Sequence, residues 1–200
     1  MIENPVLVEV TRGEMVESRH RGAVAVVHSD GQTAVTMGDT RRMIYPRSAI
    51  KPLQAVFLVE SGAADEFGLT DNELALACAS HNGEPGHVDA VRNWLARLGL
   101  DEQVLECGTH APRRDKDKAL LIENGLSPGP AHNNCSGKHC GFLSSAKFLG
   151  ESVAGYINRS HPVQQAVLDL IGDMTGVSLV GRPGGIDGCG IPVAGIPLES

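Results

Sequence analysis

Tyr45-Pro46-Arg47-Ser48-Ala49-Ile50-Lys51-Pro52 reads as Ser-x-x-Lys at the mouth of an apolar helix. Ser48 and Lys51 lie one helical turn apart and so share a face. Serine is a weak nucleophile near neutral pH and needs a base beside it. A lysine serves as that base only when burial or nearby positive charge lowers its pKa. Ala49, Ile50, Leu53, Ala55, Val56 and Phe57 supply the apolar setting. The plainer reading makes Ser48 a helix N-cap and Lys51 a solvated first-turn lysine. Pro52 has no backbone donor and restricts Lys51, which places it at the edge of the first turn, where donors are unpaired anyway.

Upstream of this helix, residues 6–11 and 14–18 predict a hairpin around Thr11-Arg12-Gly13. Residues 22–28 and 32–37 predict two more strands about Ser29-Asp30-Gly31, so the chain opens as an antiparallel meander. Downstream, Thr70-Asp71-Asn72-Glu73 is a capping box that starts a helix running to about Ala79. Val88, Val91, Trp94, Leu95 and Leu98 form one stripe of a helix over 86–98. Short helices follow near 101–105 and 115–124, the second closed by Gly125. Arg113-Arg114-Asp115-Lys116-Asp117-Lys118 alternates in sign and reads as a solvated helix start. A helix leaves the segment 133–141 and runs to about Phe148, another runs from His161-Pro162 to about Thr175, and 177–180 reads as a strand. No internal repeat and no dividing linker is visible.

The length of 200 residues suits one domain with a full core. A net charge of -7 argues against non-specific nucleic-acid binding. Met1-Ile2-Glu3-Asn4-Pro5 has no basic region followed by an apolar run, and no stretch reaches membrane-spanning length. The expectation is a cytoplasmic protein that engages no membrane and whose five cysteines are reduced.

Two further groups of residues carry chemistry. Ser80-His81-Asn82 follows a helix about 30 residues after Ser48. Penicillin-recognising enzymes place a Ser-x-Asn at the matching point, commonly with Asp where this chain has His81. The alternative is a polar helix end and turn. The second group is Asn133-Asn134-Cys135-Ser136-Gly137-Lys138-His139-Cys140-Gly141 together with Cys189. Two thiolates suit zinc, with Lys138, His139, Cys140 and Asp187 as candidates to complete four positions. The spacing is not that of a Cys-x-x-Cys knuckle, and free cysteines commonly serve as small buried apolar residues. Ser136-Gly137-Lys138 lacks the preceding glycine of a phosphate loop. Cys78, Cys107 and Cys140 are assigned to packing.

Collected in order, these stretches resemble the asparaginase II family, typified by the inducible, thermolabile rhizobial L-asparaginase. The resemblance rests on Arg47-Ser48-Ala49-Ile50-Lys51-Pro52, on Ser80-His81-Asn82, on Asn133 to His139 and on Asp187-Gly188-Cys189-Gly190-Ile191-Pro192. It implies an α+β fold like the serine β-lactamases and serine-dependent glutaminases, with helices packed on an antiparallel sheet. It further implies hydrolysis of L-asparagine to aspartate and ammonia, with Ser48 and Lys51 as a Ser-Lys pair and Ser80 as a second serine. A zinc bound by Cys135, Lys138 and Cys189, and a homodimer, are also implied. Family members are considerably longer, and no late lysine follows Cys189 to approach Ser80. The expectation is that residues 1–200 form a single amidohydrolase domain corresponding to the N-terminal portion of a longer family domain.

In this reading Ser48 attacks the amide carbon, Lys51 takes its proton, and Arg47, His139 and Asp187 hold the substrate's charged ends. Its rivals are a penicillin-recognising or glutaminase-type serine hydrolase, and a non-catalytic zinc-stabilised binding module with an incidental Ser-x-x-Lys.

Overall fold

Local signals in the chain set most elements of the computed structural model, which describes residues 3–179, 181, 182 and 184–200. The chain separates into two compact units. One holds residues 1–46, 175–177 and 195–200, and the other holds 47–174 and 178–194.

The first unit is made of short ladders. β1 (Val6–Arg12) and β2 (Met15–Arg21) pair antiparallel, in a register that runs from Val6 opposite Arg21 to Arg12 opposite Met15. Gly13 turns the hairpin at φ +61°, a conformation that glycine adopts without a Cβ penalty. β3 (Val24–Val27) pairs with β4 (Thr33–Met37), and β5 (Met43–Ile44) with β8 (Ile196–Pro197). The four opening strands therefore form two separate hairpins rather than one meander. At the junction, the Gly22 amide donates back to the Pro5 carbonyl at 3.1 Å, one more rung of the β1–β2 ladder before β3 begins.

Helices dominate the second unit. A 3₁₀ turn (Arg47–Ile50) leads into α1 (Lys51–Glu60), followed by α2 (Ala63–Glu66). α3 (Asp71–Cys78) starts at the capping box: Thr70 Oγ1 accepts from the Glu73 amide, and the Glu73 carboxylate accepts from the Thr70 amide at 2.9 Å. α4 (Pro85–Arg97) buries Val88, Val91, Trp94 and Leu95, the stripe visible in the sequence. α5 (Asp115–Glu123), α6 (Ser136–Leu149) and α7 (Pro162–Thr175, its last residue excepted) complete the helices. β6 (Gly184–Ile186) and β7 (Pro192–Ala194) form a hairpin around Asp187–Ile191. The strand expected over 177–180 is absent at Val177, Ser178 and Leu179, and Val180 lies outside the described residues.

α6 is the axis of this unit. Eleven consecutive residues, Ser136 to Ala146, are buried, and α1, α2, α3 and α4 all pack on it. Such a helix must be small where neighbours cross closely. A Cβ on Gly137 would lie 2.5 Å from the Leu76 carbonyl oxygen of α3, and one on Gly141 would lie 3.2 Å from Leu58 of α1. The helix begins at Ser136, so the segment 136–141 is helical and Lys138 stands in its first turn. Among the described residues, no helix is long and apolar enough to cross a membrane.

Candidate active site

Lys51 opens α1 with its side chain turned inward, 1% exposed. Its Nζ donates to the Ala79 carbonyl at 2.5 Å and to Ser80 Oγ at 3.0 Å. The Cys135 side chain also hydrogen-bonds to this amine. Burial is the largest influence on Lys51 and pushes its pKa down. Lys138 adds to that, while Cys135 and Cys189 pull the other way. Burial favours the uncharged amine, and Cys135 beside it is the main group that opposes this.

Ser48 sits in the preceding 3₁₀ turn and is exposed. No hydrogen bond joins Ser48 to Lys51 among the described residues. Spacing puts the two on one side of the turn, but the Ala79 carbonyl draws the amine into the unit while Ser48 stays at its surface. Arg47, just before Ser48, has φ +54°, an uncommon left-handed conformation for a residue with a Cβ. Its guanidinium pairs with Asp187 at 2.8 Å, and Asp187 also accepts from the Gly188 amide.

His81 holds the Ser80 loop in place. The His81 amide donates to the Asn134 carbonyl at 3.1 Å. On the ring, Nδ1 accepts from the Gly83 amide at 3.1 Å, which leaves the proton on Nε2. Nε2–H then donates to Ser136 Oγ at 2.8 Å, and Ser136 Oγ donates to the Ala131 carbonyl at 2.9 Å. Burial, helped by His87, Lys51, His132 and His110, pushes the His81 pKa down to about 4. The ring is thus a neutral strut between the Ser80 loop and the start of α6, a role that the sequence pattern does not reveal.

The cysteine cluster closes against Lys51. Cys135 is the residue before α6, Lys138 lies one turn into it, and Cys189 lies in the β6–β7 turn. Lys138 Nζ donates to Cys189 Sγ at 3.2 Å, and the Cys135 and Cys189 thiols hydrogen-bond to each other. Two thiols in contact share a proton unequally. The bond from Cys135, with His139 and Lys138 beside it, drives Cys189 down, while that same bond and burial drive Cys135 up. Negative charge therefore collects on Cys189.

Tyr156 OH accepts from the Glu106 amide at 2.9 Å, so its proton is free for His139 Nδ1 at 2.7 Å. The His139 proton is then on Nε2, which is wholly buried and has no hydrogen-bond partner of normal geometry among the described residues. It nevertheless stands close enough to Cys189 to stabilise that thiolate. Burial lowers the His139 pKa and keeps the ring neutral. Nothing local in the sequence singles out Tyr156, because its partner His139 lies 17 positions away.

A polar cleft of ≈ 500 Å³ opens on the other side of Ser80. Its lining includes Ser80, Asn82, His110, Arg113, His132 and Asn134. The second unit alone thus brings Lys51, Ser80, Cys135, Lys138, His139 and Cys189 into one continuous network, with Ser48 one turn away and the Arg47–Asp187 pair at the same turn as Cys189.

A model of L-asparaginase II matches residues 8–200. The chain belongs to the L-asparaginase II family. No curated protein matches it. For a member of this family the network is the candidate centre of an amidohydrolase acting on a small amide, asparagine.

The asparaginase family resemblance also raises zinc. Among the described residues, no three His, Cys, Asp or Glu side chains gather as a metal cluster. Two thiols and one amine do gather, at Cys135, Cys189 and Lys138. Thiolate and neutral amine are donors that zinc accepts, and a three-donor set leaves one position open. The donor set therefore fits the metal, with His139 Nε2 as a buried polar group beside it.

Proposed function

We propose that the protein hydrolyses L-asparagine to L-aspartate and ammonia, with Ser48 as nucleophile and Lys51 as base. The observation that carries this reading is the buried, desolvated Lys51 amine at the start of α1, one turn after Ser48. Ser48 Oγ bonds to the side-chain amide carbon as its proton passes to Lys51. The C–N bond breaks, and Lys51 returns the proton through Ser80 to the departing nitrogen, which leaves as ammonia. Water then attacks the acyl-serine, giving one proton back to Ser48 by way of Lys51 and releasing aspartate. Backbone amides of the Arg47–Ile50 turn offer donors for the oxyanion.

In this reading Cys135, Lys138 and Cys189 hold a zinc ion, which when bound supplies positive charge that polarises the substrate. Lys138 binds as a neutral amine, and His139 supports Cys189 from behind. Asp187, with Arg47 paired to it, faces the substrate's ammonium group. A serine β-lactamase-like and glutaminase-like fold, a homodimer and a cytoplasmic location belong to the same proposal, on the strength of the motif order.

One contact favours a second assignment. Lys51 touches Ser80 and not Ser48, which would make Ser80 the nucleophile. Ammonia release from asparagine, followed by mass spectrometry of peptides labelled with an amide-mimicking electrophile, separates the two. Label on Ser48 supports the first assignment. Label on Ser80 supports the second, and no ammonia and no label overturn both.

A further inference from the structure

The cleft beside Ser80 is walled by three loops sewn together through the backbone. His81 N–H donates to the Asn134 carbonyl at 3.1 Å, and Arg113 N–H donates to the Asn82 carbonyl at 2.8 Å. Asn133 Nδ2 donates to the Cys107 carbonyl at 2.7 Å and to the Gly108 carbonyl at 3.2 Å. Gly83 lets two of the loops approach: a Cβ there would lie 2.9 Å from the His132 carbonyl oxygen. The cleft is therefore a built feature of the second unit.

Its charge is one-sided. The chain carries 24 acidic residues against 17 lysines and arginines, yet among the described residues no acidic one lines this cleft. Of its histidines, His81 and His132 are held neutral by burial. Arg113 is the fixed positive charge. The adjacent Arg114 is engaged by Glu84 and Asp117, and Arg47 by Asp187. Arg113 has no ion-pair partner among the described residues, while its backbone is tied two residues beyond Ser80.

We propose that Arg113 receives the α-carboxylate of the substrate and thereby selects amides that carry one. The inference rests on the asparagine reading above and names the residue that orients that substrate. A guanidinium matches a carboxylate with two parallel N–H bonds, and ≈ 500 Å³ is ample for the α-carbon end of an amino acid whose amide lies past Ser80, on the side where Lys51 stands. With the Arg47 charge already answered by Asp187, Arg113 is the guanidinium left for an incoming anion.

Kinetics on L-asparagine and on 3-aminopropanamide, which keeps the amide and amine but lacks the α-carboxylate, test this. Arg113→Gln should raise KM for asparagine roughly 10–100-fold, the loss expected for a charge-assisted pair, with a much smaller change in kcat. Arg113→Lys should recover part of the loss, and the preference for asparagine over 3-aminopropanamide should collapse in the glutamine variant. Equal losses on both amides, or an unchanged KM for asparagine, overturn the proposal while leaving asparagine hydrolysis standing. Calorimetric binding of L-aspartate is the readout that does not depend on turnover. If the protein hydrolyses no asparagine but binds aspartate through Arg113, the asparaginase reading fails and this one holds. If it binds no aspartate, this one fails.

Discussion

A lysine at 1% exposure that donates to Ala79 O and Ser80 Oγ has exchanged water for two fixed acceptors. Desolvation disfavours the ammonium and leaves a usable base, whereas a guanidinium in the same place stays charged. Lys51→Arg should therefore abolish turnover, and so should Lys51→Met, which keeps the length and the packing. Each is expected to lose on the order of 10⁴-fold in kcat. Retention of more than about a hundredth of the activity in the methionine variant would exclude Lys51 as the base. The thiol pair makes a separate prediction. With Lys138 and Cys135 both on Cys189, metal analysis of the purified protein should find about one zinc per chain, lost in Cys135→Ser and Cys189→Ser. A native protein free of metal would contradict the ligand set without touching the Ser-Lys assignment.

Elements matter here through how closely they cross. Lys138 reaches Cys189 because α6 is buried between α1 and α3, and Gly137 lets the Leu76 backbone come within what would be 2.5 Å of a Cβ. Carbonyl atoms in a packed helix cannot step aside as a side-chain tip can, so Gly137→Ala must push α3 and α6 apart. The expected cost is about 1–3 kcal/mol, the range for overpacking, or a fall in Tm of about 2–12 °C for a chain of this size. Calorimetry checks it, and an unchanged Tm would mean the crossing is looser than drawn. What the sequence reveals follows the same division between local and distant causes. The Thr70–Glu73 box and the Val88–Leu98 stripe are legible because each is decided within one or two turns. The partners of Ser80, His81 and Arg113 are not, since the Lys51 amine lies 29 positions from Ser80, and Ser136 lies 55 from His81. Arg113 stands in a run that alternates in sign and reads as a solvated helix start, whereas Arg114 is ion-paired to Glu84 and to the buried Asp117, and Arg113 is set apart by its bond to the Asn82 carbonyl. The residues of the site are thus visible in the chain, while the choice of which serine meets the lysine is made by tertiary packing.

For the molecule as a whole, the neutral His81 strut links stability to pH. In the folded state its pKa is about 4, because its ring is buried and faces His87, Lys51, His132 and His110. Unfolded, a histidine titrates near 6.5. Between these values the unfolded chain binds a proton that the folded one refuses, so stability rises with pH across that window. It is complete above about pH 6.5 and lost progressively as the pH falls toward 4. The upper limit for this one group is about 3 kcal/mol, trimmed by whatever solvent reaches the ring from the cleft. His132 and His139, also pushed down by burial, act in the same direction. The measurement is the urea midpoint from pH 7 to pH 4 for the protein and for His81→Gln, which keeps a donor for Ser136 but cannot titrate. The variant starts lower, having lost the bond from Gly83, yet its midpoint should fall less steeply with acid. Parallel slopes for the two proteins would show that His81 takes up its proton as readily in the folded state as in the unfolded chain, and the strut would then not be held neutral by its burial.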